Sequence, residues 1–265
     1  MVIPRFYVPQ TLAVGEQVVL PEAVANHAVR VLRLEPGDPL VLFNGDGGAY
    51  SGHLLAQPVA LSEQPLKKKR ESRSSRQTVA EVLIESFEPE DRASSLRIRL
   101  WQGVSAAERM DYTWQKAVEL GVHACVPVET RRCVTRLDAA RAEKRHAHWQ
   151  GVIIAAAEQC GLNRLPTLQS VRSLAQLLAE PADDSVRVML DPDATESFPV
   201  WLGQQAHIAD LTLLIGPEGG FAPDELEAAQ AAGFRCFRLG PRVFRTETAG
   251  PVALAVAQAI AGDLR

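Results

Sequence analysis

From residue 93 onward the chain alternates apolar runs of strand length with segments of helical periodicity, and this alternation restricts the architecture more than any other feature. Strands are predicted over 96–104, 123–128, 186–190, 210–215 and 235–239, and helices over 108–121, 138–160, 173–180, 223–233 and 249–261. Such alternation predicts an α/β unit, a mostly parallel sheet covered by helices, with ligands bound at the carboxyl ends of the strands. In the first of these helices Trp114, Ala117, Val118 and Gly121 share the core-facing stripe, and Lys116 and Glu119 lie off it. No internal repeat is present.

Residues 1–92 follow a different rhythm. Short alternating or apolar runs (Arg5 to Val8, Gln17 to Leu20, Leu40 to Phe43, Val79 to Phe87) are separated by Pro and Gly turns, which predicts a small β-barrel. One helix is expected among the strands, because Val24, His27, Ala28, Val31 and Leu32 recur at helical spacing between Pro21 and Leu34. Arg30 and Arg33 fall near its C-terminal end. Gln64 to Gln77 is polar, basic and without a core-forming period, and reads as a long mobile hairpin loop. The acidic linker Glu88-Pro89-Glu90-Asp91-Arg92 then separates a domain over 1–92 from one over 93–265.

Composition narrows the function classes. With 265 residues, 46% hydrophobic, the chain can bury a full core, yet no run approaches the roughly 18 apolar residues of a membrane span. Met1 to Arg5 lacks a signal peptide's apolar region, so a cytoplasmic protein is expected. Cys125, Cys133, Cys160 and Cys236 are scattered, which predicts reduced thiols and neither a disulfide framework nor a metal site. His146 and His148 lack ligand-spaced partners and read as a solvated helix face. The formal charge of −4 argues mildly against a nucleic-acid partner. Its distribution reverses that reading: residues 64–77 hold six basic side chains against one acidic, and 131–145 hold six against two, leaving −13 for the remainder.

Two glycine-bearing loops carry the chemistry. Leu211 to Ile215 is an apolar strand running into Gly216-Pro217-Glu218-Gly219-Gly220-Phe221, whose glycines let the backbone approach a ligand closely. The pattern is neither GxGxxG nor a P-loop, so a nicotinamide or nucleoside-triphosphate site is not supported, and no nucleophile elbow marks a hydrolase. A second loop, Gly240-Pro241-Arg242-Val243-Phe244-Arg245-Thr246-Glu247-Thr248-Ala249, follows the strand 235–239. Strands taken as neighbours would give the two loops one pocket. The helix 249–261 is apolar on nearly every face and must be buried, in a core or a subunit contact. Thr248 is its expected N-cap, with Pro251 in the first turn.

Leu214-Ile215-Gly216-Pro217-Glu218-Gly219-Gly220, followed by Leu239-Gly240-Pro241-Arg242-Val243-Phe244-Arg245-Thr246-Glu247-Thr248, resembles the knotted SPOUT methyltransferases, most closely the ribosomal RNA small subunit methyltransferase E family. Arg30 to Arg33, Gln115 to Val122, Arg132-Cys133, Glu158 to Cys160 and Arg164 to Pro166 fall in the family's order, so the resemblance covers almost the whole chain. It implies a PUA-like N-terminal barrel, a C-terminal α/β trefoil knot holding S-adenosylmethionine bent, a homodimer, and methylation of uridine N3 in 16S ribosomal RNA of the small subunit. Cofactor-binding positions are then Leu190, Leu214, Ile215, Gly216, Pro217, Glu218, Gly219, Gly220, Leu239, Gly240, Val243, Phe244, Arg245, Thr246, Thr248 and Ala249, and RNA-binding positions are Arg30, Arg33, Lys116, Arg132 and Arg164. The long basic segment 64–77 and Leu162, where relatives often carry a basic side chain, depart from the family pattern.

Methyl transfer from a sulfonium is an in-line displacement, so geometry supplies much of the rate. The N3–H of uracil is a weak acid, and its conjugate base is the nucleophile. Arg245 or Arg132 would stabilise that anion, and Glu247 or Glu218 would accept the proton. The base would be splayed from its stack to reach the pocket. Two other readings stand beside this one: an RNA-binding module without catalysis, and a dehydrogenase-like enzyme using another nucleotide.

Overall fold

The computed structural model describes residues 3–55 and 79–264. The basic segment 64–77 lies outside the described residues. The chain divides into two compact units, one running to Arg92 and also taking Gly161–Arg164, the other comprising Ala93–Cys160 and Leu165 onward. A single cut between 92 and 93 therefore misplaces four residues.

The first unit contains β1 (Arg5–Tyr7), β2 (Gln17–Val19), α1 (Glu22–Asn26), β3 (Pro39–Phe43), β4 (Ala49–Leu54) and β5 (Glu81–Glu88). They form a five-stranded sheet in the order β1-β3-β4-β5-β2, antiparallel except for the β1–β3 pair. Inward residues alternate along the strands, so Phe6, Val18, Leu40, Leu42, Val82 and Ile84 meet in one core. The helix expected over 21–34 is shorter than predicted. α1 passes at His27 into a π-helical turn ending at Val31, in which the Leu32 N–H donates to the His27 carbonyl (2.9 Å), and the chain then reverses through Arg33 at φ 58°. The wider turn keeps Ala25 and Ala28 in the core while Val31 and Leu32 face outward.

Gly161–Arg164 joins this unit through side-chain chemistry that no hydrophobic pattern announces. Asn163, buried, donates to the Glu90 carbonyl (2.8 Å) and accepts from Arg5. Arg164 pairs with Asp91 (2.9 Å) and donates to the Asp46 carbonyl (2.8 Å).

The second unit runs β6 (Arg97–Gly103), α2 (Ala107–Glu119), β7 (Val122–Glu129), α3 (Ala139–Cys160), β8 (Thr167–Leu168), β9 (Arg172–Ser173), α4 (Leu174–Leu178), β10 (Val186–Leu190), α5 (Phe198–Leu202), β11 (Asp210–Ile215), α6 (Pro223–Ala231), β12 (Arg235–Phe237) and α7 (Thr246–Ala261). Its sheet is parallel throughout, in the order β12-β10-β11-β6-β7-β8, with β9 also pairing β7. Strand alternation assigns the faces. Trp101, Val126, Met189 and Leu214 pack with Leu174 and Leu177 of α4 and Ala229 of α6. On the other face α2 packs against α3 and α7, and Trp114 meets Trp149 edge-on at 6.3 Å.

α7 begins three residues before the expected 249, and its N-cap is Arg245 rather than Thr248. The Arg245 carbonyl accepts from the N–H groups of Thr248 and Ala249, both at 2.9 Å. Thr246 is drawn into the helix because its hydroxyl donates to the Gly216 carbonyl (2.6 Å) and accepts from buried Gln102 on β6 (2.8 Å). Pro251 therefore sits inside the helix, beyond its first turn. The far end is pinned by Gln258, also buried, which donates to the Leu120 carbonyl (3.1 Å) and accepts from Ser94 (2.8 Å). Gly121, at φ 71°, makes room for that amide, since a Cβ there would lie 2.9 Å from Gln258 Nε2.

Candidate active site

Parallel strands present their carboxyl ends on one edge, and a cavity of about 700 Å³ opens there at β10, β11 and β12. β10 lies between the other two, so the glycine-bearing loops are not on neighbouring strands. The middle loop, Asp191-Pro192-Asp193, has no glycine to draw attention and was missed, yet it lines the cavity with Leu190. An Asp-Pro turn closing an apolar strand was the available signal.

Most of the expected cofactor positions converge here. Leu190, Ile215, Gly216, Pro217, Glu218, Gly219, Gly220, Leu239, Gly240, Val243, Phe244, Arg245, Thr246 and Ala249 all line the cavity, as does Arg132. Leu214 and Thr248 do not. Leu214 is fully buried because alternation turns it toward α4 and α6, and Thr248 is carried into α7 by the earlier helix start. Glu247 is also absent from the lining. Arg109, Phe221, Phe237, Arg238 and Arg242 line it without having been expected.

Neighbouring segments brace the loop after β11. A Cβ at Gly103 would stand 2.4 Å from the Pro217 nitrogen, and one at Gly219 2.9 Å from Arg132 Cβ and 3.0 Å from the Arg132 carbonyl oxygen. Gly219 thus leaves room for the loop that carries Arg132. Arg132 closes the contact by donating from Nη1 to the Gly219 carbonyl (3.2 Å). The Arg131 N–H donates to Glu225 (2.9 Å) and its guanidinium pairs with Asp224 (2.9 Å), tying the loop after β7 to the start of α6. Cys133, buried, accepts from the Thr130 N–H (3.3 Å), and burial pushes its thiol pKa up.

The charged wall centres on Arg109, in the first turn of α2. Its Nη1 lies 2.9 Å from Glu218 Oε1 and its Nε 3.7 Å from Glu247 Oε1. Glu218 Oε1 also accepts from the Ala106 N–H (3.2 Å). Glu247 Oε2 is buried without a hydrogen-bond partner among the described residues. Arg245 and Arg132 are exposed at the cavity rim.

The other RNA candidates are not among the residues that line the cavity. Arg30, Arg33 and Arg164 belong to the first unit, and Arg164 is engaged there by Asp91 and Asp46. Lys116 pairs with Glu119 at 2.8 Å along α2. Among the described residues no group of three or more His, Cys, Asp or Glu is placed to hold a metal ion, and no helix is long and apolar enough to cross a membrane.

A family model for an RNA methyltransferase domain matches residues 92–258, and one for an RNA methyltransferase PUA domain matches residues 20–56. A protein from Legionella pneumophila, solved in complex with the cofactor SAM, superposes with a TM-score of 0.87 at 34% identity over 100% of both chains. The ribosomal RNA small subunit methyltransferase E of Neisseria gonorrhoeae, bound to S-adenosyl methionine, gives 0.84 at 34% identity, covering 99% of this chain and 100% of that one. The protein of that name from Mycobacterium bovis is 33% identical over 258 residues, 96% of this chain and 90% of the relative. The chain belongs to the ribosomal RNA small subunit methyltransferase E family.

Proposed function

We propose that this protein is an S-adenosylmethionine-dependent methyltransferase of ribosomal RNA that methylates N3 of a uridine in 16S RNA of the small subunit. One observation carries the reading: the cavity at the ends of β10, β11 and β12 collects both glycine-bearing loops and a ring of arginines, in a fold whose solved relatives hold S-adenosylmethionine. Its volume, about 700 Å³, falls in the range of small-molecule sites, roughly 300–1,000 Å³. Backbone groups of Gly216–Gly220 and Leu239–Gly240, with the apolar walls of Leu190, Ile215 and Phe237, would hold the cofactor, which supplies the electrophilic methyl group.

The residues of this chain supply position and charge. The braced loop after β11 fixes one wall before any ligand arrives, so little ordering remains for the reacting geometry. Arg132 and Arg245 at the rim place guanidinium groups where an RNA phosphate or the developing uracil anion can be stabilised. Arg30, Arg33 and the basic segment 64–77 extend the phosphate-binding set in the first unit, which serves as a PUA-like RNA-binding domain. The SPOUT trefoil knot and a homodimer complete the reading. Val252, Val256 and Ile260 of α7 are only partly covered within one chain, and they offer the apolar surface for a second copy. Methylation of ribosomal RNA would place the protein in the cytoplasm.

Mass spectrometry of small-subunit RNA nucleosides from cells with and without the gene tests this directly. Deletion should remove 3-methyluridine; its persistence, without a second enzyme for the same site, overturns the assignment.

A further inference from the structure

Given the N3-uridine reading above, we infer that Glu218 accepts the N3 proton through Oε2, and that Arg109 is the residue that positions it. Of the four carboxylates at or near the cavity, Glu218 and Glu247 share the Arg109 contact, and their surroundings separate them. Both hydrogen bonds to Glu218, from the Ala106 N–H and Arg109 Nη1, fall on Oε1. Oε2 has no hydrogen-bond partner among the described residues, and it belongs to a side chain that lines the cavity and keeps 22% of its surface exposed. A group held by one oxygen and open at the other can take a proton from the substrate and pass it to solvent. Glu247 has the opposite arrangement: its unpartnered oxygen is buried and the residue does not line the cavity.

Arg109 comes from α2, outside every loop that the sequence motifs single out. It is the cation in contact with both carboxylates, at 2.9 Å from Glu218 and 3.7 Å from Glu247. Without it two negative groups would face each other across the wall. The other charged groups of the cavity are Arg132 after β7, Asp191 and Asp193 after β10, and Arg238, Arg242 and Arg245 after β12. The arginines among them stabilise an anion and do not accept a proton. In the step, the N3–H bond breaks and its proton goes to Oε2, leaving the electron pair on nitrogen. That pair forms the nitrogen–methyl bond as the methyl–sulfur pair departs with sulfur, giving S-adenosylhomocysteine and 3-methyluridine.

The test uses the purified protein with S-adenosylmethionine and small-subunit particles lacking the modification, with kcat followed across pH and cofactor affinity measured separately by calorimetry. Glu218→Gln keeps an amide oxygen for Arg109 and Ala106 but cannot take a proton. It should bind cofactor within about threefold of wild type and lose at least about 100-fold in kcat near neutral pH. That loss should shrink about tenfold per pH unit as the uracil imide ionises unaided. Arg109→Ala, which leaves Glu218 in place but unclamped, should lose about tenfold in kcat, and Arg109→Lys should recover most of it. A Glu218→Gln defect equal at every pH, or one confined to cofactor binding, overturns the proton assignment. So does a pH-dependent loss that appears instead in Glu247→Gln, Asp191→Asn or Asp193→Asn. A wild-type product methylated elsewhere than uridine N3 overturns the function reading itself, and is told apart by nucleoside analysis of the same reactions.

Discussion

The loop after β11 and the loop after β12 face the same cavity but are built on opposite principles. Gly216–Phe221 is held from several sides, by Gly103 and Thr246 beneath it, Arg132 against Gly219, and Arg109 on Glu218. Arg238–Arg245 is largely exposed: Val243 keeps 79% of its surface, and a Cβ added at Gly240 would meet nothing within 4 Å. The first is a preformed platform whose contacts are with protein. The second exposes apolar and cationic side chains that the protein itself leaves largely uncovered. Substitutions that crowd the backbone of the first should therefore act on folding and binding together, and those in the second on binding alone.

The largest effect should follow crowding of the platform. Gly103→Ala, with its new methyl 2.4 Å from the Pro217 nitrogen, and Gly219→Val, pressed against Arg132, should each lower stability by about 1–3 kcal/mol and abolish measurable S-adenosylmethionine binding. Chemical denaturation with calorimetry decides it, and a fully stable, binding-competent variant would show that the platform yields. Thr246→Val comes next. It removes the donor to the Gly216 carbonyl and the acceptor for Gln102, so a loss of about 1–3 kcal/mol is expected, with weaker cofactor binding. A change in affinity without a change in stability would separate the loop from its base.

Val243→Ser probes the other side of the comparison. Stability should stay within about 0.5 kcal/mol, while cofactor affinity drops several-fold if the loop closes on the ligand. Equal affinity would mean that this loop is as preset as its neighbour. The smallest effect concerns Cys133, whose buried thiol is held above the ordinary thiol pKa. A raised pKa means the native state holds its proton longer than the unfolded chain. The contribution is thus complete below about pH 8.5 and declines as pH rises beyond it. Iodoacetamide at pH 8 should leave Cys133 unmodified in the folded protein, as peptide mapping would show; rapid alkylation would mean that the platform opens.

Where the sequence was informative, local pattern and tertiary need coincided. Strands over 186–190 and 210–215 lie where expected because apolar runs bounded by turn residues serve equally as strands and as core. The loop glycines were legible as a site for a related reason, although the close approach that Gly219 permits to Arg132 was not. Arg109, by contrast, sits on an amphipathic helix whose period reports only its buried face, and nothing in a polar position announces which carboxylates it will meet.

The sequence by itself determined the two kinds of architecture, the alternation of strands and helices after residue 93, and the residues around which the cavity closes. Tertiary structure alone decided that β10 separates the two motif-bearing strands, that the Asp191–Asp193 loop joins the site, and that Gly161–Arg164 leaves one unit for the other. It also moved the start of α7 to Thr246, whose hydroxyl finds both Gly216 and Gln102. Periodicity encodes which face of an element is buried. Strand order, the pairing of charges and the satisfaction of buried polar groups depend on partners far apart in the chain, whose meeting is settled only when all the elements pack at once.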